Sequence, residues 1–126
     1  MKKMIFIFIT LAGLNLFAAT KNCEDAVSYP EISKTELQSH VKNKTAFVVD
    51  VNGSKSYAKR HIDTAVDYQA TEAAFASTLP ADKAALVVAY CGGPSCVAWK
   101  KAAVAACNLG YTNIKHFKPG IKGWSI

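Results

Sequence analysis

Two stretches of this chain, Ala46-Phe47-Val48-Val49-Asp50-Val51 and Leu86-Val87-Val88-Ala89-Tyr90, are apolar almost without a break. A strand with one face in water alternates apolar and polar residues, whereas a strand covered on both faces has no such need. The two runs therefore predict strands in the middle of a layered structure, and the signals around them supply the covering helices. Ser33-Lys34-Thr35-Glu36 reads as a capping box that opens a helix through about His40. Asn52-Gly53-Ser54 turns the chain after the first strand, and Ser54 is placed to cap a short helix carrying Tyr57 to Arg60. A short strand is expected near Ala65 to Tyr68, followed by a helix opened by Thr71 and Glu72 and stopped by Pro80. A longer helix is expected from about Ser95 to Leu109, ended by Gly110. Ile114 to Phe117 forms the last strand, and Pro119-Gly120 turns into the terminal segment. Such alternation predicts an α/β fold with a mainly parallel central sheet flanked by helices on both faces, its sites at the carboxyl ends of the strands.

The first residues stand apart from that pattern. Lys2 and Lys3 make a basic start, Ile5 to Leu16 is an apolar run too short for a comfortable permanent span, and Phe17-Ala18-Ala19-Thr20 ends in small residues. This is the three-part form of a secretory signal peptide, read here as residues 1–19, with an uncleaved anchor as the alternative. Residues 20–126 then form one domain, large enough for a modest core and without a membrane span after processing. The expected location is periplasmic or secreted. Loss of the two lysines lowers the formal charge from +6 to +4, and the remaining lysines are scattered. No basic patch with interleaved aromatics is present, so nucleic acid is not an expected partner, whereas small anions are. Export would also place Cys23, Cys91, Cys96 and Cys107 where disulfides persist, and four cysteines allow three full pairings.

The chemistry concentrates in Tyr90-Cys91-Gly92-Gly93-Pro94-Ser95-Cys96-Val97. Cys91 is the first residue past a buried strand and a helix is expected about four residues later. Gly92 and Gly93 allow the tight bend and leave backbone N–H groups bare to converge on an anion. A helix N-terminus would add to the same positive end. Both favour thiolate over thiol at Cys91, and no carboxylate lies between Cys91 and Trp99 to oppose them. The alternative is a small cysteine that only packs at a strand end.

At this point the residues carry a resemblance that covers nearly all of residues 20–126. Phe47-Val48-Val49-Asp50-Val51 resembles the aspartate-ended strand of rhodanese-like domains. Tyr57, three residues, then His61-Ile62 and Ala65 resembles their aromatic-x-x-x-His-Ile-Pro-Gly-Ala signature. Leu86 to Cys91 resembles the strand that delivers the active cysteine. Gly110-Tyr111-Thr112-Asn113-Ile114 and Gly120-Ile121-Lys122-Gly123-Trp124 resemble the closing motifs. The resemblance implies a sulfane-sulfur transferase with Cys91 as nucleophile and Gly92, Gly93, Pro94, Ser95, Cys96 and Val97 as its substrate-binding loop. The implied donor is a small sulfur-containing anion, thiosulfate or polysulfide, or a persulfide. The acceptor is a thiol, cyanide or a partner protein, and no metal or organic cofactor is needed. The alternative is a catalytically weak module in which Cys91 and Cys96 act in redox or sulfur binding.

Several positions depart from the family pattern. Many active members carry an arginine in the cysteine loop and another just after the strand-end aspartate. Here the loop has no cation and Asn52 follows Val51, so Lys55, Lys59 or Arg60 is the expected source of positive charge. Asp63 and Thr64 replace the proline and glycine of the signature, and Pro119 stands at the first closing glycine. Two roles are open to Cys96: a resolving thiol that attacks a Cys91 persulfide, or a small residue in the first helical turn. On a continuous helix Cys96 and Cys107 would be roughly 16 Å apart, too far to bridge. Cys107 is then a core-edge residue or a partner for Cys23. His61 reads as a structural histidine bonded to backbone, while His40 and His116 show no metal-ligand spacing. Trp99 reads as core, on the helix side of Ala102, Ala106 and Leu109, and Trp124 as packing for the last turn. A phosphatase would want an arginine in the loop, and none is there.

Overall fold

The two apolar runs become adjacent strands, β1 (Phe47–Asp50) and β3 (Val87–Tyr90), paired in parallel with Val48 opposite Val88 and Asp50 opposite Tyr90. In this computed structural model, which describes residues 22–24 and 29–125, the four-stranded sheet has the order β2-β1-β3-β4. β2 (Val66–Asp67) lies outside β1 and β4 (Ile114–His116) outside β3, every pairing parallel. Residues 30–32 run beside β4, where His116 N–H donates to Pro30 O at 2.9 Å and Ile32 N–H to His116 O at 3.0 Å. The proposed signal peptide lies outside the described residues. Among the described residues, no helix is long and apolar enough to cross a membrane.

Burial explains the lack of alternation. Val49, Val87, Ala89 and Ile114 face one apolar layer, with Tyr68, Phe75, Leu79, Trp99, Ala102, Ala103 and Ala106. Val48, Val88 and Tyr90 face the other, with Ile32, Leu37, Ile62, Phe117 and Trp124. Helices α1 (Lys34–Asn43) and α6 (Gly120–Gly123) serve the second layer, and α5 (Trp99–Asn108) with the short helices after β2 serves the first. Alanines on α5 bring its backbone close to β3 and β4 because they add little width. Each large side chain buried here contributes about 1.5–3 kcal/mol of transfer free energy.

The local signals are realised in part. Ser33 caps α1, its Oγ accepting from Glu36 N–H at 3.2 Å, and the helix continues to Asn43 rather than His40. Ser54 does not cap α2 (Ser54–Lys59): Gly53, at φ +88°, is the cap residue, and Ser54 N–H donates to Gln69 Oε1 at 2.8 Å. The helix expected at Thr71 starts earlier, because Asp67 accepts from Gln69 N–H and caps α3 (Tyr68–Thr71). A 3₁₀ turn (Glu72–Ala74) and α4 (Phe75–Thr78) continue it, and the chain leaves the helix before Pro80. Trp99 is buried as expected, but Leu109 is 37% exposed, since the helix has ended and Gly110 turns at φ +96°. Trp124 packs edge-on against Phe117.

Candidate active site

The carboxyl end of β3 opens into the Cys91 loop, and two different supports hold that loop in shape. The first is a disulfide between Cys91 and Cys96, with Cα atoms 6.2 Å apart. Cys96 N–H also donates to Gly93 O at 3.1 Å, so residues 93–96 form a closed turn. This is why α5 begins at Trp99 and not near Ser95: Cys96 is tied back toward the strand and is unavailable to a helical turn. The helix N-terminus expected about four residues after Cys91 is therefore displaced along the chain, and the loop amides are the polar groups next to the cysteine. The bond also corrects the reading of Cys96 as a residue in the first helical turn.

The second support is α6. Ile121 N–H donates to Cys91 O at 2.9 Å and Lys122 N–H to Gly92 O at 3.1 Å. Contact is so close that a methyl group on Gly120, which sits at φ +62°, would lie 2.5 Å from Cys91 O and 2.7 Å from Gly93 N. With three successive carbonyls, those of Cys91, Gly92 and Gly93, accepting bonds from α6 and from the turn, their direction is set. Among the described residues, the N–H groups of Gly92, Gly93, Ser95 and Val97 have no protein acceptor. Unused amides of this kind suit an anionic group.

Beneath the loop lies a buried polar network. Asp50, wholly buried at the end of β1, accepts from Tyr90 O–H at 2.5 Å through Oδ2 and from Asn52 N–H at 2.8 Å through Oδ1. Tyr90 O–H in turn accepts from Ile62 N–H at 2.9 Å. Burial, and then the bond to Asp50, raise the Tyr90 hydroxyl pKa well above its ordinary value, so it stays a donor at any physiological pH. Tyr57 reaches across to Ala65 O at 2.6 Å, and His61 stacks on Tyr57 and meets its carbonyl through Nδ1 at 2.8 Å. His61 is thus bound to backbone, as expected of a structural histidine.

The predicted site residues are not equally accessible. Cys91 is 1% exposed and Gly93 is buried; Gly92 and Cys96 are half-buried; Pro94 and Ser95 are exposed and Val97 is 63% exposed. The expected cations do not all converge here. Arg60 donates to the Trp124 carbonyl and lines a separate cavity of about 580 Å³ with Lys42, His61 and Trp124, which contains no residue of the loop. Lys122, a cation from a distant part of the chain, runs beside the loop: its Cδ lies 3.6 Å from where a Cβ on Gly93 would be. Asn52 stands against the loop from the other strand end, its Oδ1 3.6 Å from the Cβ position of Gly92, and its buried Nδ2 has no hydrogen-bond partner. A smaller hollow beside the end of β1 is lined by Val51, Tyr68, Gln69, Ala98 and Lys101.

Cys23 and Cys107 form the second disulfide, with Cα atoms 5.7 Å apart and both residues 7% exposed. Of the two roles open to Cys107, the tether to Cys23 is the one realised. Among the described residues no cluster of three or more His, Cys, Asp or Glu side chains could hold a metal.

The model of the Rhodanese-like domain family matches residues 33–126. Among solved structures, the BH2092 protein from Bacillus halodurans is 28% identical at a TM-score of 0.60, covering 78% of this chain and 72% of that one. The human single-domain sulfurtransferase TSTD1 is 21% identical at 0.59, covering 75% and 94%. A rhodanese-related protein from Thermoplasma volcanium is 19% identical at 0.56, covering 76% and 90%. No curated protein matches the chain significantly.

Proposed function

The chain belongs to the rhodanese-like domain family, and on that premise we propose that it carries sulfane sulfur on Cys91, taken from thiosulfate or a polysulfide and passed to a thiol or cyanide. The observation that carries this reading is that the N–H groups of Gly92, Gly93, Ser95 and Val97 have no protein acceptor among the described residues, while the carbonyls of Cys91, Gly92 and Gly93 are held by α6 and the turn. Chemistry starts from the reduced protein. The Cys91 thiolate attacks the outer sulfur of thiosulfate, the S–S bond of the donor breaks, and sulfite leaves with the bonding pair. Cys91 is left as a persulfide anion, whose outer sulfur the loop amides stabilise. An acceptor thiolate or cyanide then takes that sulfur and restores the Cys91 thiolate. Lys122 and the Asn52 amide flank the loop and supply a counter-charge and a donor for the anionic end of the substrate, in the absence of a loop arginine.

Intact mass of the reduced protein after brief exposure to thiosulfate, and separately to polysulfide, tests this directly. A gain of about one sulfur mass, removed by cyanide and absent in Cys91→Ser, is the expected result. No adduct from either donor on fully reduced Cys91 would refute it. The Cys91–Cys96 disulfide favours a second reading, a redox module in which the pair cycles between dithiol and disulfide. That module would show a reversible two-proton mass change and no gain of sulfur. Two closed disulfides fit the export to an oxidising compartment proposed from residues 1–19. Mass of the protein recovered from a secreting host, beginning at Thr20, is the outcome expected.

A further inference from the structure

In the oxidised protein the Cys91 sulfur is spent, so the disulfide must be opened before any sulfur can be carried. The two ends of that bond differ sharply. Cys91 is 1% exposed, beneath a loop clamped by α6, whereas Cys96 is half-buried between the exposed residues Ser95 and Val97. Thiol–disulfide exchange requires the incoming thiolate to approach one sulfur along the line of the bond, and the other sulfur departs with the electron pair. With the bond closed, Cys91 is the shielded sulfur, covered by the loop that Cys96 pins down. Approach to Cys96 is open, and departure from it leaves the charge on Cys91, next to the unpaired amides of Gly92 and Gly93. The Cys23–Cys107 bond has no such entry, since both its cysteines are buried.

We propose that a dithiol protein reductant activates this protein by attacking Cys96, so that Cys96 is the entry sulfur for electrons and Cys91 the leaving thiolate. The partner thiolate forms a bond to the Cys96 sulfur as the Cys91–Cys96 bond breaks. The partner's second thiolate then attacks its own sulfur in the mixed disulfide and releases Cys96. Overall the partner loses two electrons and becomes a disulfide, and its two thiol protons end on Cys91 and Cys96 or in solvent. A partner with two closely spaced thiols is favoured over a monothiol because its second step is intramolecular and outruns re-closure by Cys91. The proposal rests on the reading of Cys91 as the sulfur carrier, since only then does opening the bond switch activity on.

The test uses the oxidised protein and, as probe, a thioredoxin whose resolving cysteine is replaced by serine, so that the mixed disulfide accumulates. After a rapid acid quench and alkylation, fragment-ion sequencing of the joined peptide locates the bond. Expected is attachment to Cys96 in at least about ten-fold excess over Cys91, with Cys91 alkylated and Cys23–Cys107 still closed. Attachment to Cys91, equal attachment to both, or no mixed disulfide under conditions where dithiothreitol opens the bond would overturn the proposal. Sulfur loading is measured separately on protein reduced by a phosphine that is removed before the donor is added. Loading without exchange at Cys96 sinks this inference alone. Exchange at Cys96 without loading upholds the entry route and sinks the sulfur-carrier reading.

Discussion

Gly120→Ala is the substitution that most directly probes how α6 holds the Cys91 loop. Two costs add at this position. At φ +62° an L side chain sits in the left-handed region, which costs about 1–2 kcal/mol. The new methyl would also lie 2.5 Å from Cys91 O, 2.6 Å from Gly92 C and 2.7 Å from Gly93 N, all of them backbone atoms that no rotamer change can move. Relief requires the loop and α6 to separate by about 1 Å, an overpacking strain worth about 1–3 kcal/mol. The sum is a loss of about 2–5 kcal/mol in urea unfolding, unless the loop lifts away and escapes part of it. In that case the bonds from Ile121 and Lys122 to the loop carbonyls break, and a displacement of this size slows the proposed persulfide formation on Cys91 by up to about 100-fold. Gly110→Ala is the control: it shares the positive φ, at +96°, but its methyl would meet only Lys83 Cδ at 4.0 Å. It should cost the backbone term alone and leave loading unchanged. Gly120→Ala that unfolds within about 0.5 kcal/mol of the parent and loads at the parental rate would refute the clamp.

Three further outcomes follow from the same structure. Tyr90→Phe removes the donor to Asp50 Oδ2 and the acceptor for Ile62 N–H, and should cost about 2–4 kcal/mol in urea unfolding; a loss under about 1 kcal/mol would mean that the network does not hold the strand ends. His116 is buried and stacked on Trp99, and burial lowers its pKa to about 4. Its native state stays neutral while the unfolded chain takes up a proton, so stability is full above about pH 6.5 and falls by about 2–3 kcal/mol toward pH 4. His116→Gln should flatten that part of the pH profile, and an unchanged slope would rule His116 out as its source. Thr64 holds φ +71° at the position where the family signature has glycine. Thr64→Gly should therefore stabilise by about 0.5–1 kcal/mol, left-handed strain outweighing the added freedom of the unfolded chain; a destabilised variant would contradict that balance.

What could be read in the sequence depended on whether the cause was local. The continuous apolar runs of β1 and β3 marked themselves as doubly covered, and Tyr90-Cys91-Gly92-Gly93 marked the end of one of them as a bend. The capping role of Ser33 was equally plain, because its partner Glu36 lies three residues away. Asp67 reads as the end of a strand, and its capping of the next helix is hidden in the sequence because strand and helix meet there without a loop. Likewise α5 starts later than its sequence suggests because a covalent bond outweighs helix propensity: alanine-rich sequence favours a helix from Ser95, but Cys96 is tied to Cys91. Least visible were the contacts from α6. Ile121, Lys122 and Gly120 meet the loop from a distant part of the chain, and nothing in their own neighbourhood announces it.

The two disulfides are nested: Cys23–Cys107 spans 84 positions and encloses Cys91–Cys96, which spans 5. For a chain that emerges from its N-terminus onward, this order has a consequence for maturation. Cys23 is the first thiol to appear and its partner is the last, so an oxidant that joins cysteines as they arrive would couple Cys23 to Cys91. That product ties up the sulfur on which the proposed chemistry depends. The native pattern requires either that Cys23 stay reduced until Cys107 has arrived, or that an isomerase undo the early pairing. Under the second route the yield of active protein tracks the isomerase capacity of the host, and under the first it does not.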